Sequence, residues 1–168
     1  ITYVSATSSR YMNKKKSLPY GFQDIEKDDV EAVARALSSD FLTTGPLVES
    51  FENALTKKFG GKFCSVVNNG SSALYILGKA LGWKKGDNII VPAINFVAVT
   101  NIIKFFNANI FLADVDKESG HMTPESLEKV IKLNKLKKIK AIVTMHIGGY
   151  PIYINEFYKL KKKYNCLI

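Results

Sequence analysis

The sequence has few of the residues and runs that mark secreted, metal-binding or membrane-spanning proteins. Its two cysteines, Cys64 and Cys166, lie in separate strand-like apolar runs without metal-ligand spacing, which predicts buried free thiols and neither a disulfide framework nor a metal site. No apolar run approaches the roughly 20 residues that a membrane-spanning helix needs. Residues 1–16 also lack the apolar stretch of a signal peptide. These absences predict a cytoplasmic protein that does not enter a membrane.

Arginine is nearly absent although the formal net charge is +9. Only Arg10 and Arg35 are arginines, and the other basic residues are lysines. No aromatic residues alternate with these lysines to form the stacking platforms of a nucleic-acid-binding sheet. Runs such as residues 161–163 fall at predicted helix ends, where lysine favours the negative end of the helix dipole. The charge therefore indicates a solvated lysine-rich surface, and we expect no nucleic-acid partner.

From residue 62 onward, short apolar runs alternate with helical patterns, which is typical of a parallel sheet with crossover helices. We predict strands at residues 63–67, 88–91, 109–115 and 141–147. We predict helices at residues 27–39, 46–59, 71–81, 95–106, 124–133 and 155–164. Asn95 and Thr123 are predicted N-caps, and Pro46 and Pro124 suit first helical positions. The predicted fold class is therefore α/β.

The two ends of the chain depart from this pattern. Residues 1–18 are rich in Ser, Thr and Lys without periodicity, so we predict a flexible leader, followed by part of one domain at residues 19–168. The chain opens on Ile1 and stops within a strand that begins at Cys166. We therefore expect a fragment of a longer protein.

The most informative motif is a turn of small residues, Asn-Asn-Gly-Ser-Ser-Ala-Leu at residues 68–74. Small side chains let an anion approach the backbone, and a helix start offers unpaired N–H groups and the positive end of its dipole. The motif is neither a P-loop nor a dinucleotide fingerprint, because Gly-Lys-Ser/Thr and Gly-x-Gly-x-x-Gly are both absent. Gly70, Ser71 and Ser72 thus predict a phosphate cradle, with a plain tight turn and N-cap as the alternative.

Further candidate residues follow the next predicted strands. Phe96 lies at the edge where open α/β sheets bind ligands, so its ring is a candidate platform for a planar cofactor, with a core phenylalanine as the alternative. His146 ends another strand at that edge and is either a ligand contact or a structural histidine. Asp114 and Asp116 flank Val115 at a strand end, and we interpret them as turn and capping residues.

Seven motifs, in this order and spacing, resemble the DegT/DnrJ/EryC1/StrS family over residues 18–168. They are Leu-Pro-Tyr-Gly at 18–21, Leu-Thr-Thr-Gly-Pro at 42–46, Phe-Glu at 51–52, Asn-Gly-Ser-Ser-Ala-Leu at 69–74, Val-Pro-Ala-Ile-Asn-Phe-Val-Ala at 91–98, Ala-Asp-Val-Asp at 113–116 and His-Ile-Gly-Gly-Tyr-Pro at 146–151. The first motif and Gly-His-Met-Thr-Pro at 120–124 look most like the branch that makes a UDP-linked 4-amino sugar for pseudaminic acid.

The resemblance implies the large domain of a fold-type I transferase that depends on pyridoxal 5'-phosphate (PLP). This domain is a three-layer α/β/α structure with a mostly parallel sheet, truncated here, from an enzyme that works as a homodimer. The resemblance implies that Gly70, Ser71 and Ser72 hold the PLP phosphate and that Phe96 stacks on the pyridine ring. It also implies substrate contacts from Tyr20, Asp40, Phe41, Leu42, Thr43 and Gly70, with Asn95 and His146 as additional candidates.

The chain departs from the family pattern at two contact positions and lacks the family's catalytic segment. Asn95 replaces the usual Thr before the stacking aromatic, and Tyr150 replaces the usual Gln. The family's Glu-Asp-x-Ala-x-x-x-Gly segment and Schiff-base lysine do not occur in the 168 residues, so we expect them beyond Ile168. The aspartate of that segment would keep the pyridinium nitrogen protonated, and the lysine would bind the cofactor and move a proton.

Four functions are candidates for this sequence. The resemblance implies an aminotransferase that transfers an amino group from an amino acid, expected to be glutamate, to a 4-keto nucleotide sugar, expected to be UDP-linked. The resulting amino sugar would be used to make a surface polysaccharide or glycan. A second is a PLP-dependent sugar dehydratase of the same family, in which histidine replaces the lysine. A third is a non-catalytic nucleotide-sugar binding module, against which the unfinished edge strand argues. A Rossmann methyltransferase or dehydrogenase is disfavoured because the glycine fingerprint is absent.

Overall fold

The computed structural model describes residues 21–168. The chain divides into two compact units, one up to Cys64 and one from Ser65 to Ile168, and each is described by itself. None of the helices in the described part combines the length and the apolar character needed to cross a bilayer.

In its described residues, 21–64, the first unit contains two helices, α1 (Lys27–Leu37) and α2 (Pro46–Phe59). At the start of α1, the Asp29 carboxylate accepts a hydrogen bond from the Glu26 backbone N–H at 2.9 Å. Pro46 occupies the first position of α2, and Gly60, with a φ of +67°, ends it in the left-handed conformation that glycine favours. Both predicted helices are confirmed, with α1 ending at Leu37 instead of residue 39.

The second unit alternates helices and short strands around a three-stranded sheet. Its elements are α3 (Gly70–Ala80), β1 (Asn88–Pro92), α4 (Val97–Phe105), β2 (Asn109–Ala113), α5 (Pro124–Leu133), β3 (Ala141–Ile142), a short 3-10 helix (Ile147–Gly149) and α6 (Ile154–Tyr164). The strand order is β2-β1-β3, and both pairings with the central strand β1 are parallel. Thr123 caps α5 as predicted, with its side chain accepting from the Ser126 N–H at 3.1 Å.

Two apolar cores cover the opposite faces of β1. Ile89, Ile90 and Val91 are all fully buried, because successive side chains of a strand point to opposite faces and both faces are covered here. Ile90 packs in a cluster with Leu127 of α5, whereas Ile89 and Val91 pack in a cluster with Ile103 of α4. The second unit is therefore a three-layer α/β/α arrangement, as predicted.

Residues 63–67 do not form the predicted strand. The segment is irregular, and Phe63 is 93% exposed. An apolar run becomes a strand only when a neighbouring strand completes its backbone hydrogen bonds, and none of the three strands in the described sheet pairs with it. Cys64 is consequently half-buried instead of buried, whereas Cys166 is buried as predicted, and both are free thiols. Burial raises the pKa of the Cys166 thiol.

Two other predicted strands are longer than the observed ones. β2 ends at Ala113, and Val115 forms a separate antiparallel bridge with Met122. β3 ends at Ile142 instead of residue 147. The chain then turns through the 3-10 helix, where Gly148 and Gly149 have positive φ values that no β-strand contains. The observed strand is shorter than predicted because only Ala141 and Ile142 pair with β1 in the described sheet.

Replacing Gly78 of α3 by alanine is expected to destabilise the second unit by roughly 1–2 kcal/mol, because overpacking outweighs the gain in helix propensity. Gly78 is buried, and a Cβ atom there would lie 2.8 Å from both a Phe106 ring carbon and a Trp83 ring carbon. Urea unfolding of Gly78→Ala measures the effect. The control is Lys79→Ala, at the exposed neighbouring position. An unfolding free energy for Gly78→Ala equal to that of the unaltered protein would contradict the packing argument.

A polar cluster on the surface joins α5 to α6. Lys163 and Tyr164 both donate to the Glu128 carboxylate, the tyrosine hydroxyl at 3.1 Å. The hydrogen bond from Lys163, followed by that from Tyr164, holds the pKa of Glu128 below its usual value of 4.5. A carboxylate with a lowered folded-state pKa stabilises the fold above its unfolded pKa and loses that contribution as the pH falls.

Glu128→Gln is therefore expected to be less stable than the unaltered protein at neutral pH. The difference in stability is expected to shrink below pH 4.5, because 4.5 is the usual pKa of glutamate and the pKa of folded Glu128 lies below it. The effect is expected to be small because solvent screens exposed ion pairs. Thermal unfolding between neutral and acid pH measures the difference. Glu125→Gln is the control, since Glu125 lies on the same helix and forms no salt bridge within residues 21–168. A difference that stays constant with pH would count against this role of Glu128.

Candidate functional site

The carboxyl ends of the three parallel strands define one edge of the sheet, which we call the carboxyl edge. The segments that follow the strands are residues 93–96 after β1, 114–116 after β2 and 143–150 after β3. Because parallel strands end on the same side, these segments meet at one edge, the edge where open α/β sheets bind ligands. The topology thus brings Phe96 and His146 to the carboxyl edge, although His146 follows β3, which ends at Ile142, and does not end the strand as predicted.

The amino end of α3 points toward the same edge. The far end of this helix lies at the opposite, amino edge, since Gly78 faces the rings of Phe106 and Trp83, which precede the amino ends of β2 and β1. Tyr75, in the middle of α3, stacks on Phe106 with ring centroids 5.5 Å apart. A helix that ends at the amino edge starts at the carboxyl edge, so Gly70 and Ser71 lie on the side of the sheet where Phe96 follows β1.

The start of α3 has unpaired hydrogen-bond donors. Asn69 is the N-cap, and its side-chain oxygen accepts from the Ser72 N–H at 2.8 Å. The N–H groups of Gly70 and Ser71 have no acceptor among the described residues, and both residues are exposed. A Cβ atom at Gly70 would meet nothing within 4 Å. Two backbone donors and the nearby serine hydroxyls therefore make this turn a candidate anion site, while the Ser72 amide belongs to the helix cap.

Phe96 is exposed at the carboxyl edge. The prediction that Asn95 caps α4 is wrong, because Phe96 occupies the N-cap position and Val97 starts the helix. The Phe96 side chain is 68% exposed, so the alternative of a core phenylalanine is excluded in the described structure. The side-chain oxygen of Asn95 accepts from the Phe96 N–H at 2.7 Å, which stabilises the backbone at this position. The ring is thus available as a flat apolar surface.

The Asn95 side chain has a second polar atom that is not satisfied. Its amide nitrogen Nδ2 is buried and has no acceptor within residues 21–168. A buried N–H donor without a partner costs about 1–3 kcal/mol, so an acceptor that reaches it is favoured. Asn95 is therefore a donor beside Phe96, in the position where the resemblance suggested an additional contact.

The acidic residues after β2 have structural roles, as interpreted from the sequence. The Asp114 side chain accepts from the Val115 N–H at 2.9 Å, and the Asp116 side chain accepts from the Ser119 N–H at 2.8 Å. The hydrogen bond from the Ser119 backbone is the main cause that lowers the pKa of Asp116. Both carboxylates are thus engaged within their own turn.

The loop after β3 contains the candidate His146 and the substituted position Tyr150, both exposed. The buried polar side chain His121 contacts this loop from the turn after β2. No distinctive spacing marks His121 as a site residue in the sequence, where it stands only within the Gly-His-Met-Thr-Pro motif. The structure shows it in a constrained turn, between Gly120, with a φ of +70°, and the core residue Met122.

The predicted substrate loop lies in the first unit. Residues 40–44 connect α1 to α2, and Phe41 and Leu42 are exposed. Both side chains help to line a shallow groove of about 210 Å³ that also contacts Val33 and Val48. Tyr20 lies outside the described residues. That this loop and Phe96 contribute to one site stays a prediction.

Comparison with known proteins adds a family to this geometry. The sequence model of the DegT/DnrJ/EryC1/StrS aminotransferase family matches residues 23–168. PseC of Helicobacter pylori, an aminotransferase involved in the biosynthesis of pseudoaminic acid, is a similar solved structure, with 31% identity and a TM-score of 0.79 over 90% of this chain and 40% of that chain. An aminotransferase from Psychrobacter cryohalolentis has 28% identity and a TM-score of 0.79 over 88% and 37% of the two chains.

A third similar structure is GDP-4-keto-6-deoxymannose-3-dehydratase with a trapped PLP-glutamate geminal diamine, with 26% identity and a TM-score of 0.78 over 86% and 38% of the two chains. The chain thus spans about two fifths or less of the length of these structures. The predicted α/β fold with a parallel sheet is confirmed by both the topology and these matches. The sequence match and the shared fold together show that the chain belongs to the DegT/DnrJ/EryC1/StrS aminotransferase family.

Proposed function

We propose that this chain forms the cofactor-binding part of a PLP-dependent aminotransferase that converts a 4-keto nucleotide sugar into an amino sugar. The observation that carries the proposal is the start of α3, where two unpaired backbone N–H groups lie on the side of the sheet at which Phe96 exposes its ring. Backbone donors at a helix start suit a phosphate, and an exposed aromatic ring suits a planar heterocycle. PLP combines these two chemical features.

The described residues fit PLP in two respects: they supply hydrogen-bond donors for its phosphate, and they leave open space beside Gly70. Gly70 and Ser71 would hold the phosphate through their N–H groups, and the Ser71 and Ser72 hydroxyls would add donors. No atom lies within 4 Å of the position that a Cβ atom at Gly70 would take. Phe96 would stack on the pyridine ring. When bound, PLP would supply an electron sink for the proton transfers that accompany the movement of an amino group from donor to acceptor.

The other candidate residues have binding and orienting roles in this proposal. The buried Asn95 Nδ2 would donate to an oxygen of the cofactor or the substrate, since it has no acceptor within the described residues. The exposed His146 would donate to or accept from the substrate at the same edge. Asp40, Phe41, Leu42 and Thr43, with Tyr20 and Gly70, would contact the nucleotide sugar. The lysine that moves the proton is expected beyond Ile168.

The substrates and the assembly are inferred from similarity. We infer a UDP-linked 4-keto sugar and a glutamate donor, because PseC, at 31% identity, is an aminotransferase involved in the biosynthesis of pseudoaminic acid. We also infer a cytoplasmic homodimer that serves glycan or polysaccharide synthesis. The similarity to GDP-4-keto-6-deoxymannose-3-dehydratase supports PLP-dependent sugar dehydration as a second candidate function.

Gly70→Val in the full-length protein is expected to weaken PLP retention by roughly tenfold or more, which is the loss that about 1.5–3 kcal/mol of charge-assisted hydrogen bonding represents. The branched side chain would occupy the space through which a phosphate approaches the free N–H groups. Cofactor absorbance after dialysis measures retention. Gly70→Ala is the control, since its Cβ meets no atom within 4 Å and leaves the fold intact. Equal retention by Gly70→Val and the unaltered protein would argue against the cradle.

The function itself is tested with the full-length protein and the 168-residue chain side by side. The full-length protein is expected to transfer an amino group from glutamate to a UDP-linked 4-keto sugar, and the 168 residues alone are expected to show no turnover because they lack the proton-moving lysine. Borohydride reduction followed by peptide mass mapping is expected to label one lysine beyond Ile168. Sugar dehydration without amino transfer would favour the second candidate. Turnover by the 168 residues, with one of their lysines labelled, would disprove the proposed location of the catalytic lysine.

A further inference from the structure

The turn after β2 contains a histidine whose ring is enclosed by backbone groups. His121 is 6% exposed and is the buried polar residue of the described chain. Its Nδ1 atom lies 2.8 Å from the Ser119 carbonyl oxygen in the same turn. Its Nε2 atom lies 3.2 Å from the Ile147 backbone nitrogen and 3.1 Å from the Tyr150 carbonyl oxygen, both in the loop after β3. One ring therefore joins two segments that border the carboxyl edge.

The two contacts of Nε2 exclude each other as hydrogen bonds. The Ile147 N–H needs an acceptor, so it bonds only to an Nε2 without a proton. The Tyr150 carbonyl needs a donor, so it bonds only to an Nε2 that carries a proton. Because a neutral imidazole has one N–H and one acceptor nitrogen, the ring satisfies either the amide or the carbonyl of the loop at a given moment.

The surroundings favour the bond to the Ile147 amide. The Ser119 carbonyl at Nδ1 requires a proton on that nitrogen, which in a neutral ring leaves Nε2 as the acceptor. Tyr150 is 68% exposed as a residue, whereas Ile147 is partly buried, so leaving the Ile147 N–H unpaired is the costlier of the two losses. Unpaired buried N–H groups are also rarer than carbonyls with incomplete hydrogen bonding. The tautomer with its proton on Nδ1 is therefore the one that pairs both the Ser119 carbonyl and the Ile147 amide.

Hydrogen bonds within the turn fix the backbone around His121, whereas the loop that the His121 ring contacts contains two adjacent glycines. Asp116 accepts from the Gly120 N–H at 2.8 Å through its carbonyl and from the Ser119 N–H at 2.8 Å through its carboxylate. Gly148 and Gly149 both have positive φ values, a conformation that glycine visits readily and leaves readily. An external hydrogen bond to such a loop selects one of its conformations.

We propose that His121 is a positioning residue that fixes the loop at residues 146–150, and with it His146 and Tyr150, through the hydrogen bond from the Ile147 N–H to Nε2. The tether itself is independent of the reaction, but its consequence for turnover rests on the proposed function. In that function the loop would present His146 to the substrate. A loop released from His121 would sample other conformations, which lowers the fraction of protein that is ready to bind.

The test compares His121→Asn with His121→Gln in the full-length protein. The asparagine amide takes the place of Nδ1 and keeps the contact with Ser119, but it does not reach Ile147. The glutamine amide reaches the place of Nε2 and supplies an acceptor to the loop. Hydrogen exchange of the peptide that contains Ile147 to Tyr150 is followed by mass spectrometry. It is expected to be roughly tenfold faster in His121→Asn and close to the unaltered rate in His121→Gln, as the loss of one hydrogen bond implies.

Two further measurements separate positioning from stability. The Tm of each variant shows whether the whole fold is weakened, and exchange in peptides of β1 serves as the internal reference. In an active enzyme, His121→Asn is expected to raise the KM for the sugar substrate severalfold, with restoration in His121→Gln. Faster exchange throughout the protein, or equal exchange in both variants, would overturn the tether. If the enzyme shows no amino transfer, the proposed function fails while the exchange data still decide the role of His121.

Discussion

The burial of β1 on both faces is the constraint on which the second unit depends. Ile89, Ile90 and Val91 have no exposed surface, and each contributes about 1.5–3 kcal/mol by leaving water. A strand buried on both sides requires helices above and below it, which α4 and α5 provide. Each helix returns the chain from the end of one strand to the edge of the sheet at which the strands begin, and all the strands therefore run in the same direction.

The position of the candidate site follows from this arrangement. Parallel strands place the segments after them at one edge, and the return helices start there, so backbone donors of α3 and the loops after β1 and β3 are found on the same side. The edge also contains groups that find no acceptor among residues 21–168, such as the N–H groups of Gly70 and Ser71. In the proposed function these groups serve as contacts for an anion and a cofactor.

Sequence patterns predicted the helices well and the strands less well. Pro46, Gly60 and the Thr123 cap set helix ends through local backbone chemistry, which is readable from neighbouring residues. Residues 63–67 and the end of β3 depended instead on whether another strand pairs with them, and this is a contact distant in the chain. The candidate phosphate motif at Gly70 could be predicted from the sequence because its backbone donors belong to a single helix start.

The sequence alone determined the α/β class, the family resemblance and the local elements, because propensity, capping and motif order act over a few neighbouring residues. The tertiary structure decided which residues are exposed and which polar atoms lack partners. It exposed the Phe96 ring, left Asn95 Nδ2 without an acceptor in the described part of the chain, and buried His121 between a turn and a loop some 26 residues further along the chain. These outcomes depend on packing between distant segments, and no local pattern encodes them.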